Sequence, residues 1–345
     1  MKAKKKSKGV SKEKQTFTSI DLFAGVGGMR LGFEQAGFKT LFANDFNKDC
    51  KTTYDFNFTE PKLYVDDLWK VDIKGLPSFD VLVGGFPCQA FSIAGYQKGF
   101  KDIRGNLFFR LAEILKEKKP RAFLLENVKN LKSHDEGRTF KIIEKTLKHL
   151  GYHTKDKILN SMTHGNTPQN RERIFIVGFL KEDDAEGFEF PDQIPLTKSF
   201  REFVAEKADA KYYYNDKPLY EKIKKEISSE HTVYQWRRKY VRANKKRVVP
   251  TLTANMGRGG HNVPLIKNSV GIRKLTPREC FLLQGFPKDF GIPKDLSDSE
   301  LYHQAGNSVT VPVVRRIAEN IHNVLEGKRL NQQMTIRTST RAPRF

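Results

Sequence analysis

Cys88 stands in Gly85-Phe86-Pro87-Cys88-Gln89-Ala90-Phe91-Ser92, directly after the apolar run Val81–Gly84. Cysteine suits a site where a soft nucleophile must add to an electron-poor carbon. It reacts as the thiolate, and a free thiol has a pKa of about 8.5, so attack needs a lowered pKa or a base. A buried, inert cysteine is the other reading of Cys88 alone. Glu126 follows the apolar Phe123-Leu124-Leu125 and has no cationic neighbour in sequence. A carboxylate emerging there into a cleft is expected to have a raised pKa and to donate a proton to a ring nitrogen. A surface glutamate is the alternative. In Gln169-Asn170-Arg171-Glu172-Arg173, alternation along an extended segment puts Arg171 and Arg173 on one face. Two guanidinium groups on one face suit a carbonyl oxygen and a phosphate, unless they are simply solvated charge.

These side chains need a scaffold, and the apolar runs before them supply one. Short strands are expected at Phe17–Phe23, Thr40–Asn44, Val81–Gly84, Ala122–Leu125 and Ile174–Phe179. Helices are expected at Met29–Ala36, Leu107–Lys118 and Thr139–Leu150, stopped by Gly37, Pro120 and Gly151. That alternation is the signature of a parallel α/β sheet, whose ligands bind beyond the carboxyl ends of the strands. The residues at those ends are the loop Ala24-Gly25-Val26-Gly27-Gly28, then Asp45, Asp67, Cys88 and Glu126. The glycine loop by itself fits a plain tight turn equally well. A dinucleotide fingerprint would place glycine or alanine at position 30, where this chain has Arg30, so NAD is disfavoured. Asp45 is placed to accept ribose hydroxyls, and Phe46 to cover an adenine face. The combination favours an adenosine-containing ligand without a pyrophosphate, and S-adenosylmethionine fits.

The alternation fades after about residue 190. Residues 200–300 carry short strands, turns and a basic stretch, and read as a smaller module; Val313–Leu325 is again an amphipathic helix. His231–Arg247 holds seven Lys/Arg and no acid, interleaved with Tyr234, Trp236 and Tyr240. Arg237, Arg238, Tyr240 and Arg242 there, and Arg258 in the glycine-rich run that follows, are expected to meet nucleic acid. The whole chain of 345 residues has a net charge of 62 − 40 = +22. Residues 1–17, with seven lysines and one glutamate, account for +6. The remaining +16 still implies a polyanionic partner. Three cysteines without a C-x-x-C pair argue against a disulfide framework and a thiolate zinc site. No apolar run reaches the roughly 20 residues of a membrane span, and no hydrophobic segment follows the Lys-rich start. The chain is expected to be soluble, intracellular and attracted to nucleic acid.

Taken in order, these motifs resemble the cytosine-5 DNA methyltransferases of bacterial restriction–modification systems, from Asp21 to about Val314. The resemblance implies a Rossmann-like S-adenosylmethionine-dependent methyltransferase domain with a smaller, mostly β or irregular target-recognition domain. The expected division is a basic tail at 1–16, a catalytic domain at 17–195 plus 303–327, a recognition domain at 196–302 and a basic extension at 328–345. Phe23, Gly25, Gly27 and Gly28 look like the family's cofactor loop, and Asp45 with Phe46 like its ribose and adenine site, Asp replacing the commoner Glu. Asp67, with Leu68 beside it, sits where the family contacts the adenine amino group, and Leu107 where it lines the pocket. Pro87-Cys88-Gln89 resembles the nucleophile motif, Glu126-Asn127-Val128 the ring-protonating motif, and Arg171 to Arg173 the cytosine-holding motif. Asn307 and Val309, in Gln304-Ala305-Gly306-Asn307-Ser308-Val309, match the segment that closes over the cofactor. Gln89, Ser92 and Thr251 are carried over as DNA contacts. The implied partners are S-adenosylmethionine, duplex DNA and an endonuclease of the same site, with no metal. A tRNA cytosine-5 methyltransferase shares these core motifs, but that branch carries a Cys-Phe-Thr element that this chain lacks. A catalytically silent DNA-binding homologue is a further alternative. Amino-group methyltransferases follow an acid or Asn with Pro-Pro-aromatic, where this chain reads Phe86-Pro87-Cys88.

Overall fold

The computed structural model describes residues 16–87, 107–244, 246–257 and 264–328. Eight strands come from the first 180 residues: β1 Thr18–Leu22, β2 Lys39–Asp45, β3 Tyr64–Val65, β4 Val81–Gly85, β5 Ala122–Val128, β6 His153–Asn160, β7 Gln169–Asn170 and β8 Glu172–Phe179. Seven of them form one sheet in the order β3-β2-β1-β4-β5-β8-β6.

The central strands are apolar on both faces because helices cover both. Val81, Val83, Ala122 and Leu124 face the helices Gly28–Gln35 and Val311–Leu325. Their alternates Leu82, Phe123 and Leu125 face Leu107–Lys118 and Arg138–His149. The helix Val311–Leu325 thus returns from the end of the chain to pack on the first domain, burying Ile317, Ala318 and Ile321.

The sheet differs from a fully parallel one. β8 runs antiparallel to both β5 and β6. Ile174–Phe179 is therefore a reversed strand, inserted between β5 and the edge. The edge strand β6 was hidden by its sequence, His-Thr-Lys-Asp-Lys-Ile-Leu-Asn, because charge at an exposed edge blocks further pairing at the expense of the apolar signal.

The later residues form a second, antiparallel sheet: β9 Tyr234–Trp236, β10 Val241–Ala243, then, after β11 Val249–Pro250, β12 Pro264–Lys267 and β13 Ile272–Lys274, in the order β10-β9-β12-β13. It has a small core of Ile223, Ile227, Tyr234, Val241, Leu265 and Ile272. β11 leaves this sheet and pairs in parallel with β7. Leu252 and Met256 just beyond it join a larger core with Val26, Tyr54, Phe281 and Tyr302. The two parts of the chain thus share apolar packing as well as a covalent connection. No helix among the described residues is long and apolar enough to cross a membrane.

Candidate functional site

The turn after β1 is built from backbone that most side chains resist. Phe23 has φ +58°, Gly25 +53° and Gly27 +84°. Left-handed backbone is easy for glycine and strained for phenylalanine, a kind of strain that gathers at functional sites. The glycines divide by what surrounds them. A Cβ on Gly27 would lie 2.4 Å from the Phe58 ring, and one on Gly28 would lie 2.6 Å from Ser308 Oγ. A Cβ on Gly25 would meet nothing within 4 Å. Gly27 and Gly28 are small because protein packs against them; Gly25 faces open space.

Asp45 ties this turn to the end of β2. Its Oδ2 accepts the Gly25 N–H at 2.8 Å and its Oδ1 accepts the Asn47 N–H at 2.9 Å. Burial pushes the Asp45 carboxyl up, against the lowering effect of these amides. Each oxygen keeps a lone pair for a further donor. Phe46 beside it is 73% exposed, an apolar ring left without protein cover. Beneath the turn, Asp21 is wholly buried. Its Oδ2 accepts the Arg30 N–H at 3.1 Å and its Oδ1 has no partner. Burial pushes its pKa up to about 8.

These groups border a cavity of about 250 Å³ at the carboxyl ends of the strands. Phe23, Gly25, Gly28, Asp45 and Phe46 line it, as do Pro87, Leu107, Asn307 and Val309. Glu126 lines the same cavity. Gly27, Asp67 and Leu68 stand outside it. Gly27 packs on Phe58 and Tyr54, Asp67 caps a short turn by accepting the Trp69 N–H at 3.0 Å, and Leu68 is buried under the sheet. The cavity also includes Asn47, Cys50, His303, Gln304 and Ser308, which the strand-end reading did not single out. Gln304 and Ser308 lay within a quoted motif; His303 carried no signal. Gln304 accepts the Thr53 hydroxyl at 2.7 Å and donates to the Asp49 carbonyl at 2.9 Å, closing that wall.

Glu126 lies two residues before the end of β5, 9% exposed. Its carboxylate overlies the end of β4, where a Cβ on Gly85 would be 3.3 Å from Oε2. The side chain is not isolated from cations, as its sequence neighbours suggested. Arg173, from antiparallel β8, brings Nε to 2.9 Å from Oε1. The two are close enough to pair but not aligned for a hydrogen bond, so Oε1 makes none. The adjacent Asn127 donates to the Phe86 carbonyl at 2.8 Å, fixing the backbone that leads through Pro87 to position 88. Cys88, Gln89 and Ser92 lie outside the described residues.

Arg171 and Arg173 line one small recess together, as alternation expects, but their partners differ. Arg171 is buried, and its Nη1 donates to the Leu252 carbonyl at 2.8 Å. Its Nη2 donates to the carbonyls of Ser308 at 2.5 Å and Gly306 at 3.2 Å. Burial pulls its pKa down to about 9. With both terminal nitrogens committed to backbone, Arg171 is not available to hold a phosphate.

In the second module, β9 and β10 form a hairpin whose turn is Arg237-Arg238-Lys239-Tyr240, closed by Arg237 N–H donating to the Tyr240 carbonyl at 2.8 Å. Arg238 has φ +64° and Tyr240 is 53% exposed. Arg242 donates across the hairpin to Gln235 Oε1 at 2.7 Å. Of the interleaved aromatics, Tyr234 is core, Trp236 packs against that core and Tyr240 faces outward. Thr251 donates its hydroxyl to the Asn170 carbonyl at 2.7 Å, at the junction of β11 and β7. Arg258 lies outside the described residues. Among the described residues no group of three His, Cys, Asp or Glu side chains is placed to hold a metal ion.

Residues 17–323 match the family model described as C-5 cytosine-specific DNA methylase. The chain is 53% identical over 307 residues to the Type II methyltransferase M.Bsp6I of Bacillus sp. (strain RFL6), covering 87% of this chain and 97% of that one. It is 42% identical over 330 residues to the Type II methyltransferase M.SsoII of Shigella sonnei, covering 91% and 82%. Among solved structures, a Spodoptera frugiperda DNMT2 mutant superposes with a TM-score of 0.69 at 18% identity, covering 89% of this chain and all of that one. The Entamoeba histolytica methyltransferase EhMeth gives 0.68 at 21% identity, covering 90% and 99%. At such identities these two speak for the fold alone.

Proposed function

The chain belongs to the C-5 cytosine-specific DNA methylase family and is a DNA cytosine-5 methyltransferase, and from that premise we propose how its residues divide the reaction. The observation that carries the reading is that one cavity is lined both by Asp45 and Phe46 and by Pro87 and Glu126. Its donor set fits S-adenosylmethionine: open space at Gly25, a carboxylate for hydroxyl groups, and an uncovered ring for an adenine face. Leu107, Asn307 and Val309 would complete the walls.

The target cytosine is first turned out of the duplex, which costs a few kcal/mol. The Cys88 thiolate then forms a bond to ring carbon 6. Glu126 protonates or hydrogen-bonds ring nitrogen 3, so that the ring accepts the electron pair and carbon 5 becomes nucleophilic. Arg173 holds the 2-carbonyl oxygen while its Nε keeps the Glu126 carboxylate in place. S-adenosylmethionine, when bound, supplies the methyl group that carbon 5 accepts. Loss of the carbon-5 proton to a base restores the ring double bond, and the Cys88–C6 bond breaks with its electron pair returning to sulfur.

The hairpin turn Arg237–Tyr240, together with Arg242, Thr251, Arg258, Gln89 and Ser92, is the proposed DNA contact surface. Phosphate neutralisation there makes binding salt-dependent. The biological role we assign is protection of host DNA from an endonuclease of the same site, in the cytoplasm and as a monomer.

Labelled methyl transfer to duplex DNA, with tRNA in parallel, tests the substrate. Bisulfite sequencing of DNA from cells expressing the protein then identifies the site. A duplex with 5-fluorocytosine at that site should yield a denaturant-stable conjugate at Cys88, because fluorine blocks the release step. No conjugate, or one on another side chain, would overturn the covalent mechanism.

A further inference from the structure

We infer that Arg171 is a positioning residue that couples the module of residues 196–302 to the wall of the cofactor cavity, so that duplex DNA and cofactor raise each other's affinity through it. The inference rests on the reading that this module takes DNA and the cavity takes the cofactor.

The junction is short and has no slack. A single guanidinium holds the Leu252 carbonyl on one side and the Gly306 and Ser308 carbonyls on the other. Only a planar fork with fixed donor directions reaches both sets at once. A second bridge runs beside it. Gln169 accepts the Leu252 N–H at 3.0 Å and donates to Gln284 Oε1 at 3.0 Å, and Gln284 donates to the Ala305 carbonyl at 2.7 Å. The backbones also touch directly, since a Cβ on Gly306 would lie 2.2 Å from the Thr253 carbonyl carbon. Gln169 and Gln284 are wholly buried and Arg171 nearly so.

The same short segment forms cavity wall on its other side. Asn307, Ser308 and Val309 line the cavity, and Ser308 and Val309 press on Gly28. A shift of Leu252 when the module docks on DNA therefore reaches the cavity wall across this junction, most directly through Arg171, which bonds both Leu252 and Ser308, because a close-packed junction transmits displacement rather than damping it. A ligand that fixes the segment in the arrangement the other ligand also needs raises that ligand's affinity, which is positive coupling. Arg171 carries this at an energetic disadvantage. It is a buried guanidinium whose Nε has no hydrogen-bond partner, and taking a charge out of water is costly.

The test is the affinity of the full chain for S-adenosylhomocysteine, measured by calorimetry alone and in the presence of saturating short unmethylated duplex DNA. The wild-type affinity should rise about 5- to 100-fold with DNA. In Arg171→Lys the affinity without DNA should stay within about threefold of wild type, while the ratio with and without DNA falls toward one. A role limited to stability would lower the melting temperature and leave the ratio intact, and that result overturns the inference. If Arg171→Lys does not fold, Arg171→Gln is judged by the same ratio; Gln284→Met, which cuts only the parallel bridge, should keep the wild-type ratio, and a collapse there would move the coupling away from Arg171 and overturn the inference. If each ligand binds wild type but the ratio is one, the coupling is wrong and the proposed function stands. If neither binds, the proposed function fails first.

Discussion

Gly25→Ala separates backbone strain from contact with the cofactor. Gly25 has φ +53°, and a Cβ there would meet no protein atom within 4 Å. The strain of a left-handed alanine is about 1–2 kcal/mol. In a chain of this size that lowers the melting temperature by only a few degrees. Gly151 is the matched control. It has φ +86°, its Cβ would likewise meet nothing, and it caps a helix remote from the cavity. Both variants should therefore lose similar stability. Only at position 25 does the new methyl group enter space that the cofactor is to fill. Forcing a methyl group into a packed contact costs about 1–3 kcal/mol, which lowers affinity roughly 10- to 100-fold. Thermal unfolding of both variants, with calorimetric titration of S-adenosylhomocysteine, reads the two effects separately. Wild-type cofactor affinity in Gly25→Ala would refute the assignment of the cavity. An equal loss of affinity in Gly151→Ala would show that the effect travels through stability alone.

Glu126→Gln should lower kcat by about 10²–10⁴-fold while changing S-adenosylhomocysteine affinity by less than about threefold; equal losses in both would make Glu126 a part of the cofactor wall. Asp21, raised from 3.8 to about 8 by burial, holds a proton in the folded protein that the unfolded chain releases. The associated stability is fully present below about pH 4 and is lost as pH rises toward 8, by up to about 1.4 kcal/mol per pH unit. Urea unfolding of wild type and Asp21→Asn across that window should show a steeper fall in wild type, and parallel curves would contradict it. Arg238→Gly relieves left-handed backbone, so its stability should be unchanged or higher by up to about 1 kcal/mol. Its DNA affinity should nonetheless fall, with a shallower salt dependence by about one unit of slope; an unchanged slope would remove Arg238 from the phosphate contacts.

Much of the scaffold was legible because its signals are local. Apolar runs of four to seven residues with glycine or proline punctuation located β1, β2, β4 and β5, and Leu107–Lys118 was read with the bounds the helix has. Strand direction was not legible. Ile174–Phe179 reads as apolar whether it runs parallel or antiparallel, and its partners on both sides are decided by the chain's return path. The same reversal brings Arg173 against Glu126, 47 positions apart in sequence, by aligning Val128 with Arg173. A carboxylate expected to stand alone thereby gains a cation.

The amino-acid sequence by itself determined the alternation of strand and helix, the basic charge, and the order of the motifs at the strand ends, because each depends on residue type and near spacing. Tertiary structure decided which of those residues meet. It gave Gly25 open space while packing Gly27 and Gly28, and it left Asp67 outside the cavity. It also committed the Arg171 terminal nitrogens to three backbone carbonyls. Residue type states what a side chain is able to bind, but the partner that reaches it first is set by burial and by contacts between segments far apart in the chain.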